Sequence, residues 1–419
     1  MHRLVIAGGG FAGFWAAAAA ARLRRDAQVL ASLEIVLISR DDQLVIRPRL
    51  YEPDPSSMAV PLISRLEAIG VRFEQGEITS IDVTNKAVRL KDAPAVPPAI
   101  SYDRLVLATG SQLARPAGAL GAHGLDIDTL AGASALDRHL HGLTARPESE
   151  GRWTVVIAGG GFTGIELATA LPERLRAIAA GSEVRVVMVD PASRMGASLV
   201  GSSPDDGLQS AIHEALAVAG IETRTMVTIA SADSAGVVLS SGDRIACQTL
   251  VWTTGMRASP LAGKISTRTD GLGRIAVTSE LRLIGNNAGI DHVFAAGDVA
   301  RAAADGEHAA LQSCQHAQVT GRFAGYNAAA DLAGLPLQVY RQPLYTTCLD
   351  LGESGAVLTK GWDRTVQATG QDAKAIKRRI NTQLIYPPAE GDAILAAASP
   401  AVMDEEMFEN RILSIRSGR

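Results

Sequence analysis

One glycine run occurs twice in this chain. Gly8-Gly9-Gly10-Phe11-Ala12-Gly13 returns almost unchanged as Gly159-Gly160-Gly161-Phe162-Thr163-Gly164. Each run follows a short apolar stretch suited to a buried strand, Leu4-Val5-Ile6-Ala7 and Val155-Val156-Ile157-Ala158. Each also opens an alanine-rich stretch suited to a helix. A single GxGxxG is a weak signal, but two in one chain, both between strand and helix, are a strong one. In each run the first glycine permits a tight turn and the second lets the backbone approach a pyrophosphate. The third lets the helix pack closely on the strand. The helix start offers unpaired N–H groups and the positive end of its dipole to phosphates. The alternative for either run is a turn with no ligand. Together they predict two dinucleotide sites, one cofactor held and one passing through.

The repeat extends past the glycines. Thirty-one residues after Gly8 a second strand, Glu34 to Ile38, ends at Ser39; thirty-one after Gly159 its counterpart, Val184 to Val189, ends at Asp190. A carboxylate there can accept hydrogen bonds from a ribose and repels the extra phosphate of NADP. Asp190 therefore favours NADH, although Arg194 stands close by. Ser39 can make one such hydrogen bond or be an ordinary strand-end residue, and Arg40 could lie against an adenine. A second echo is Leu105-Val106-Leu107-Ala108-Thr109-Gly110 with Leu250-Val251-Trp252-Thr253-Thr254-Gly255. A β-rich stretch precedes each, Val71 to Leu90 and Ile221 to Leu239. Both halves read as one plan: an α/β fold with two Rossmann-like dinucleotide-binding domains, plus a C-terminal α+β region.

At 419 residues the chain is too long for one ordinary core. A formal net charge of −4 gives no electrostatic case for nucleic acid. No apolar run reaches the ~18 residues of a membrane-spanning helix. The first strand starts too early to leave room for a cleavable signal. These points predict a cytoplasmic protein with no metal site. A peripheral contact at the inner face of the membrane and a homodimer both stay open. Lys377-Arg378-Arg379 reads as a solvated helix face rather than a lipid contact. Cys247, Cys314 and Cys348 form no CxxC or CxxxxC, so a redox disulfide beside the first glycine loop is missing; Cys314 and Cys348 could still meet in space.

Val293-Phe294-Ala295-Ala296-Gly297-Asp298-Val299-Ala300 reads as a strand ending where Asp298 could grip the hydroxyls of a ribityl chain. With the two glycine loops and Ala108-Thr109-Gly110, this set resembles the FAD-dependent pyridine-nucleotide oxidoreductases with two dinucleotide-binding domains. Within them the chain is most similar to the type II NADH dehydrogenases, the non-pumping NADH:quinone reductases. Ile46-Arg47-Pro48-Arg49-Leu50-Tyr51-Glu52 resembles that group's stretch near the flavin. Val156 to Ala168 is close to its NADH signature. Cys314-Gln315-His316-Ala317 resembles its quinone-site motif. Ser39, Arg49 and Cys314 depart from the group pattern, which puts the quinone in more doubt than the flavin.

The resemblance implies FAD and NADH as cofactors. It implies an FAD-binding domain in two parts, 1–115 and 280–340, an NADH-binding domain at 116–279 between them, and a C-terminal region at 341–419. The cofactor-binding candidates are Gly8, Gly10, Phe11, Ala12, Gly13, Ser39, Arg40, Arg47, Pro48, Ile78, Ala108, Thr109, Gly110, Gly297 and Asp298 for FAD. Those for NADH are Gly159, Gly161, Phe162, Thr163, Gly164, Asp190 and Gly255, with Gln315 and His316 beside the flavin ring. In the C-terminal region, Thr346 to Leu351 and Ala356 to Trp362 read as strands and Asp372 to Asn381 as a basic helix. Phe408, Ile412 and Ile415 share a face of a last helical stretch.

The implied reaction is hydride transfer from NADH to FAD, then electron delivery to a second substrate. The catalytic candidates are Glu166, Gln315 and His316. Glu166 would orient the nicotinamide or move a proton, or is a first-turn acid that favours the helix dipole. A helix starting near Leu311 to Gln315 could stabilise charge on the reduced ring. Gln315 would shape the acceptor pocket. His316 would protonate a quinone-like acceptor or simply bond a backbone carbonyl. The rival readings are a flavoprotein acting on a small organic substrate or oxygen, a redox sensor of the apoptosis-inducing type, and a reductase of a carrier protein such as a ferredoxin.

Overall fold

The computed structural model describes residues 2–91, 99–199, 207–265, 268–285, 288–402, 405–406 and 409–410. Strand β1 (Arg3–Ala7) turns through the first glycine run into helix α1 (Phe11–Asp26) and returns as β2 (Glu34–Ser39). β3 (Arg72–Gln75) and β4 (Arg104–Leu107) follow. The second unit opens with β5 (Leu125–Asp126) and β6 (Thr154–Ala158). The second glycine run leads from β6 into α2 (Phe162–Ala179), then β7 (Arg185–Asp190), β8 (Glu222–Thr225) and β9 (Thr249–Trp252). The chain then comes back to the first sheet through β10 (Val293–Ala295) and covers it with α3 (Cys314–Ala333). The two parallel sheets have strand orders β10-β4-β1-β2-β3 and β5-β9-β6-β7-β8.

β1 and β6 are apolar along nearly their whole length because helices or excursions cover both faces of each sheet. α1 lies between its sheet and α3, so its Ala16-to-Ala21 run is buried all round rather than on one stripe. Gly321 and Gly325 of α3 let that helix meet α1 directly. A Cβ on Gly325 would overlap the carbonyl oxygen of Ala16.

Two sequence expectations need correction. β3 and β8 are not the first strands of the β-rich excursions; each is the edge strand of a parallel sheet. The excursions proper begin later, at Ile78–Asp82 and Ile229–Asp233. A strand that runs on into an excursion gives no periodic sign of a change of partner. The C-terminal sheet also has three strands, not two: β11 (Thr346–Asp350), β12 (Ala356–Lys360) and β13 (Thr365–Thr369). Helix α4 (Gly370–Arg379) packs on it and runs into a π turn at Ile380–Leu384. Phe408, Ile412 and Ile415 lie outside the described residues.

Two short antiparallel strands join the units. Ser111–Leu113 follows Gly110 and pairs with Met256–Ala258, which follows Gly255. Both Thr-Gly turns therefore flank one bridge between the sheets. No helix among the described residues is long and apolar enough to cross a membrane, and none of their side chains form a metal-binding group.

Candidate functional site

The two glycine turns have the same construction. Gly8 has φ +118° and Gly159 has φ +120°; a Cβ on either would overlap the carbonyl oxygen of the Thr-Gly strand beside it, that of Ala108 or Thr253. A Cβ on Gly13 or Gly164 would overlap the carbonyl oxygen of Gly8 or Gly159. Gly10 and Gly161 differ from all four. Nothing lies within 4 Å of a Cβ on Gly10, and only the Ser198 hydroxyl (3.9 Å) does so for Gly161. Each turn is thus closed where the chain packs on itself and open where a pyrophosphate would pass. Neither helix that follows has a side-chain cap, so the first N–H groups of α1 and α2 are left for a ligand.

Around the first turn, Thr109 Oγ1 is buried with no partner, a hydroxyl waiting for a hydrogen bond. Gly110 has φ +66° and open space above it. Ser39 sits beneath Gly9, where its hydroxyl leaves no room for a Cβ. Gly76 donates to the Ser39 carbonyl (2.9 Å), and half-buried Ile78 begins the excursion two residues on. Arg40 is exposed and pairs with Asp41 at 3.3 Å. Gly297 (φ +72°) lies between the starts of α1 and α3, its N–H donating to Thr320 Oγ1 at 2.9 Å; a Cβ there would come within 2.7 Å of the Ala12 Cβ.

Asp298 follows. Its Oδ2 accepts from Ser111 (2.6 Å) and lies 3.8 Å from the Arg47 guanidinium, which also binds Asp128. Burial holds the Asp298 carboxyl above the usual range, with Arg47 opposing. Pro48 sits in the short 3-10 turn that carries Arg47. This donor set fits a flavin dinucleotide: an open phosphate turn, an orphaned hydroxyl and a half-buried carboxylate on one sheet edge.

At the second turn Asp190 holds the loop itself. Its two oxygens accept from the N–H of Gly160 (2.6 Å) and of Ala192 (2.7 Å). Phe162 is half-buried, Thr163 is exposed, and Gly255 has φ +86° with nothing near its Cβ direction.

Glu166 is not a solvated first-turn acid. It is 2% exposed, accepts from the Asp350 N–H (3.0 Å) and pairs with Lys377 Nζ at 2.8 Å. Lys377, read from sequence as part of a solvated face, is 5% exposed. Burial pushes the Glu166 carboxyl up to about 7, with the Lys377 ammonium working the other way. Asp350 accepts from Tyr51 OH (2.9 Å) and binds Lys374, and Asn381 donates to Glu52 (2.8 Å). Tyr51, Glu52, Asp350, Lys374, Lys377 and Asn381 form the polar surroundings of Glu166, and no local pattern marks them, because their partners come from three distant segments.

Gln315 is tied to Thr346 by its amide, donating from Nε2 to Oγ1 at 3.2 Å and accepting the Thr346 N–H at 3.4 Å. His316 is 1% exposed, and burial pushes its imidazole down to about 3, so it carries no charge near neutral pH. It therefore holds no imidazolium proton to give an acceptor there. Lys377 Nζ lies 5.5 Å from the centre of the Phe162 ring at the start of α2. Its charge is also felt by the Cys314 thiol at the start of α3. One buried ammonium thus acts on the starts of both α2 and α3. The three cysteines are free. Burial pushes the thiols of Cys247 and Cys314 to about 11 and that of Cys348 to about 12, so none is a ready nucleophile.

Residues 2–321 match the profile described as pyridine nucleotide-disulphide oxidoreductase. The chain is 44% identical over 409 residues to an NADH dehydrogenase-like protein of Mycobacterium tuberculosis, covering 96% of this chain and 99% of that one. It is 30% identical over 370 residues to a demethylphylloquinone reductase of Synechocystis, covering 85% and 86%. The fold matches NDH2 from Plasmodium falciparum in complex with NADH, with a TM-score of 0.74 at 12% identity over 95% of this chain and 97% of that one.

Proposed function

Because the chain belongs to the pyridine nucleotide-disulphide oxidoreductase family and is an NADH dehydrogenase-like flavoprotein, binding FAD and NAD(P)H, we propose that it oxidises NADH and delivers the electrons to a quinone-like acceptor. FAD, when bound, supplies the hydride-accepting chemistry. The turn from Gly8 to Gly13 and the first N–H groups of α1 would hold its pyrophosphate, and Ser39 and Asp298 its adenosine and ribityl hydroxyls. Arg47 keeps Asp298 in place. The turn from Gly159 to Gly164 would hold the pyrophosphate of NADH and Asp190 its ribose. The Asp190 charge, fixed by two backbone N–H groups, disfavours the additional phosphate of NADPH.

The observation that carries this reading is the matched pair of open, uncapped glycine turns, with a buried ion pair in the helix that follows the second. Glu166, whose Oε1 accepts from the Asp350 N–H and Lys377, can hold or release a proton at Oε2 near neutral pH, and Lys377 would supply a positive charge to a reduced ring bound beside it. Gln315, pinned to Thr346, would shape the wall on the acceptor side. Three protonated, unpaired thiols argue against a disulfide as the electron exit. The demethylphylloquinone reductase among the relatives supports a quinone.

The test is the visible spectrum of the purified protein. A yellow protein should bleach with NADH, more slowly with NADPH, and recover its colour faster with menadione than in air alone. Recovery no faster than in air overturns the quinone; a colourless protein that cannot take up FAD overturns the whole reading.

A further inference from the structure

Two short strands carry the chain from the first unit to the second and back, Ser111–Leu113 and Met256–Ala258. Each is entered through a glycine with left-handed backbone and open space beside it, Gly110 (φ +66°) and Gly255 (φ +86°). An isolated pair of strands is marginally stable at best. Loop residues that can absorb a change in φ and ψ are where hinges turn. Something besides the ladder must therefore hold the angle between the two units. The Arg47 guanidinium lies across this bridge. It donates to the Ser111 hydroxyl (3.3 Å) on one strand and to the Met256 sulfur (3.5 Å) on the other, and it binds Asp128. Asp298, on the flavin side, is 3.8 Å away.

Asp128 divides its two oxygens. Oδ1 takes Arg47 of the first unit, and Oδ2 accepts the Leu113 N–H of the bridge at 3.1 Å. The residue itself is anchored in the second unit, just past β5. Its N–H donates to Asp126 Oδ1 (3.0 Å), and Asp126 in turn binds Arg115. Thr129, next in the chain, caps the helix Leu130–Gly142, its Oγ1 accepting from the Gly132 N–H at 3.0 Å. The Asp128 side chain is 13% exposed and that of Arg47 34%, so the pair is partly shielded from the water that weakens surface ion pairs. A charge-assisted hydrogen bond of this kind is stronger than a neutral one. Asp128 lies in neither glycine turn, and the chemistry proposed above does not use it.

We propose that Asp128 is a positioning residue for hydride transfer: by gripping Arg47 it fixes the angle at which the second nucleotide unit meets the first. This role rests on the reading above that FAD lies in the first unit and NADH in the second. Reacting atoms need to stand about 3–3.5 Å apart, and a misplacement of about 1 Å costs on the order of a hundredfold in rate. Where different units hold the two partners, the hinge sets that distance. Each unit keeps its own glycine turn when the hinge slackens. Loss of the latch therefore slows the transfer and leaves binding largely intact.

Asp128→Asn keeps the shape and an oxygen for the Leu113 N–H but offers Arg47 no charge. Two measurements on the full chain test the latch. In the FAD-free protein, amides of Ser111–Leu113 and Met256–Ala258 should exchange with solvent about tenfold faster in Asp128→Asn, while those of β1 and β6 keep their rates. In the FAD-loaded protein mixed rapidly with NADH, the limiting rate of flavin bleaching should fall about 10–100-fold, with the half-saturating NADH concentration within about threefold of wild type. Asp128→Glu keeps the charge and should lie between the two in both measurements; it serves alone if Asp128→Asn does not fold. Wild-type exchange at the bridge, or a wild-type bleaching rate, overturns the proposal and leaves the proposed function standing. So does a loss confined to NADH affinity, which would make Asp128 a binding residue. If NADH does not bleach the wild type at all, the proposed function falls and the hydride role with it.

Discussion

Glu166 and Lys377 show what one buried pair does to a titration. The folded chain keeps a proton on Glu166 up to about 7, whereas the unfolded chain releases it near its ordinary value of 4.5. A raised carboxyl contributes its full stability below the unfolded value, and that contribution is lost as pH rises through the folded one. Glu166→Gln removes this titration. Its melting temperature should therefore lose most ground to the wild type near about pH 5 and least near about pH 8. Parallel curves across that range would mean that the carboxylate is ionised throughout. Lys377→Met takes away the ammonium that restrains the carboxyl, so the pH-rate inflection for NADH consumption should move up by about one unit or more. The ~3–5 kcal/mol expected of a broken buried pair should then appear only above that raised value, because below it Glu166 escapes as the neutral acid. The role of Glu166 was partly legible in the sequence, two residues past a glycine turn. That of Lys377 was not: three basic residues in a row look solvated until α4 is seen to turn the first of them toward α2.

At the scale of an element, the strand–turn–helix unit was the most legible part of the chain, since each glycine answers a local steric demand. The same demand separates folding from binding. A side chain at Gly13 collides with the Gly8 carbonyl oxygen within the protein itself. Gly10 has φ −75° and open space, so the chain alone accepts a methyl group there. Gly13→Ala should lower thermal stability by about 1–3 kcal/mol, the usual range for forced overpacking. Gly10→Ala should melt within about 0.5 kcal/mol of wild type in the FAD-free form, as a strain-free surface change does, yet retain much less FAD on purification. Comparable FAD retention by Gly10→Ala and wild type would mean that no phosphate passes that glycine. What the sequence did not disclose was pairing. β3 and β8 read as parts of their excursions because periodicity records which face is buried, not which strand lies alongside.

Across the whole molecule, three segments share one core. Leu50, Tyr51 and Met58 come from the first unit, Leu167 and Leu171 from α2, and Leu349, Leu351 and Val357 from the C-terminal sheet. The polar layer above that core repeats the same union: Tyr51 and Lys374 both bind Asp350, whose N–H donates to Glu166. Such sharing was illegible in the sequence, because each segment reads as a complete local pattern and none announces a partner. Its consequence is cooperativity. A second nucleotide unit with a private core could unfold while the first kept its flavin; one built around Tyr51 and Leu349 cannot. Loss of helical signal and release of flavin fluorescence should therefore coincide in a thermal scan. Asp350→Ala leaves the Tyr51 hydroxyl without its acceptor and Lys374 with only the Gly352 carbonyl, 3.2 Å away. It should lower that joint transition by about 1–3 kcal/mol, the cost of a stranded buried group, without splitting it. Two separate transitions in the wild type would show that the second unit folds by itself and that the shared core is only a contact.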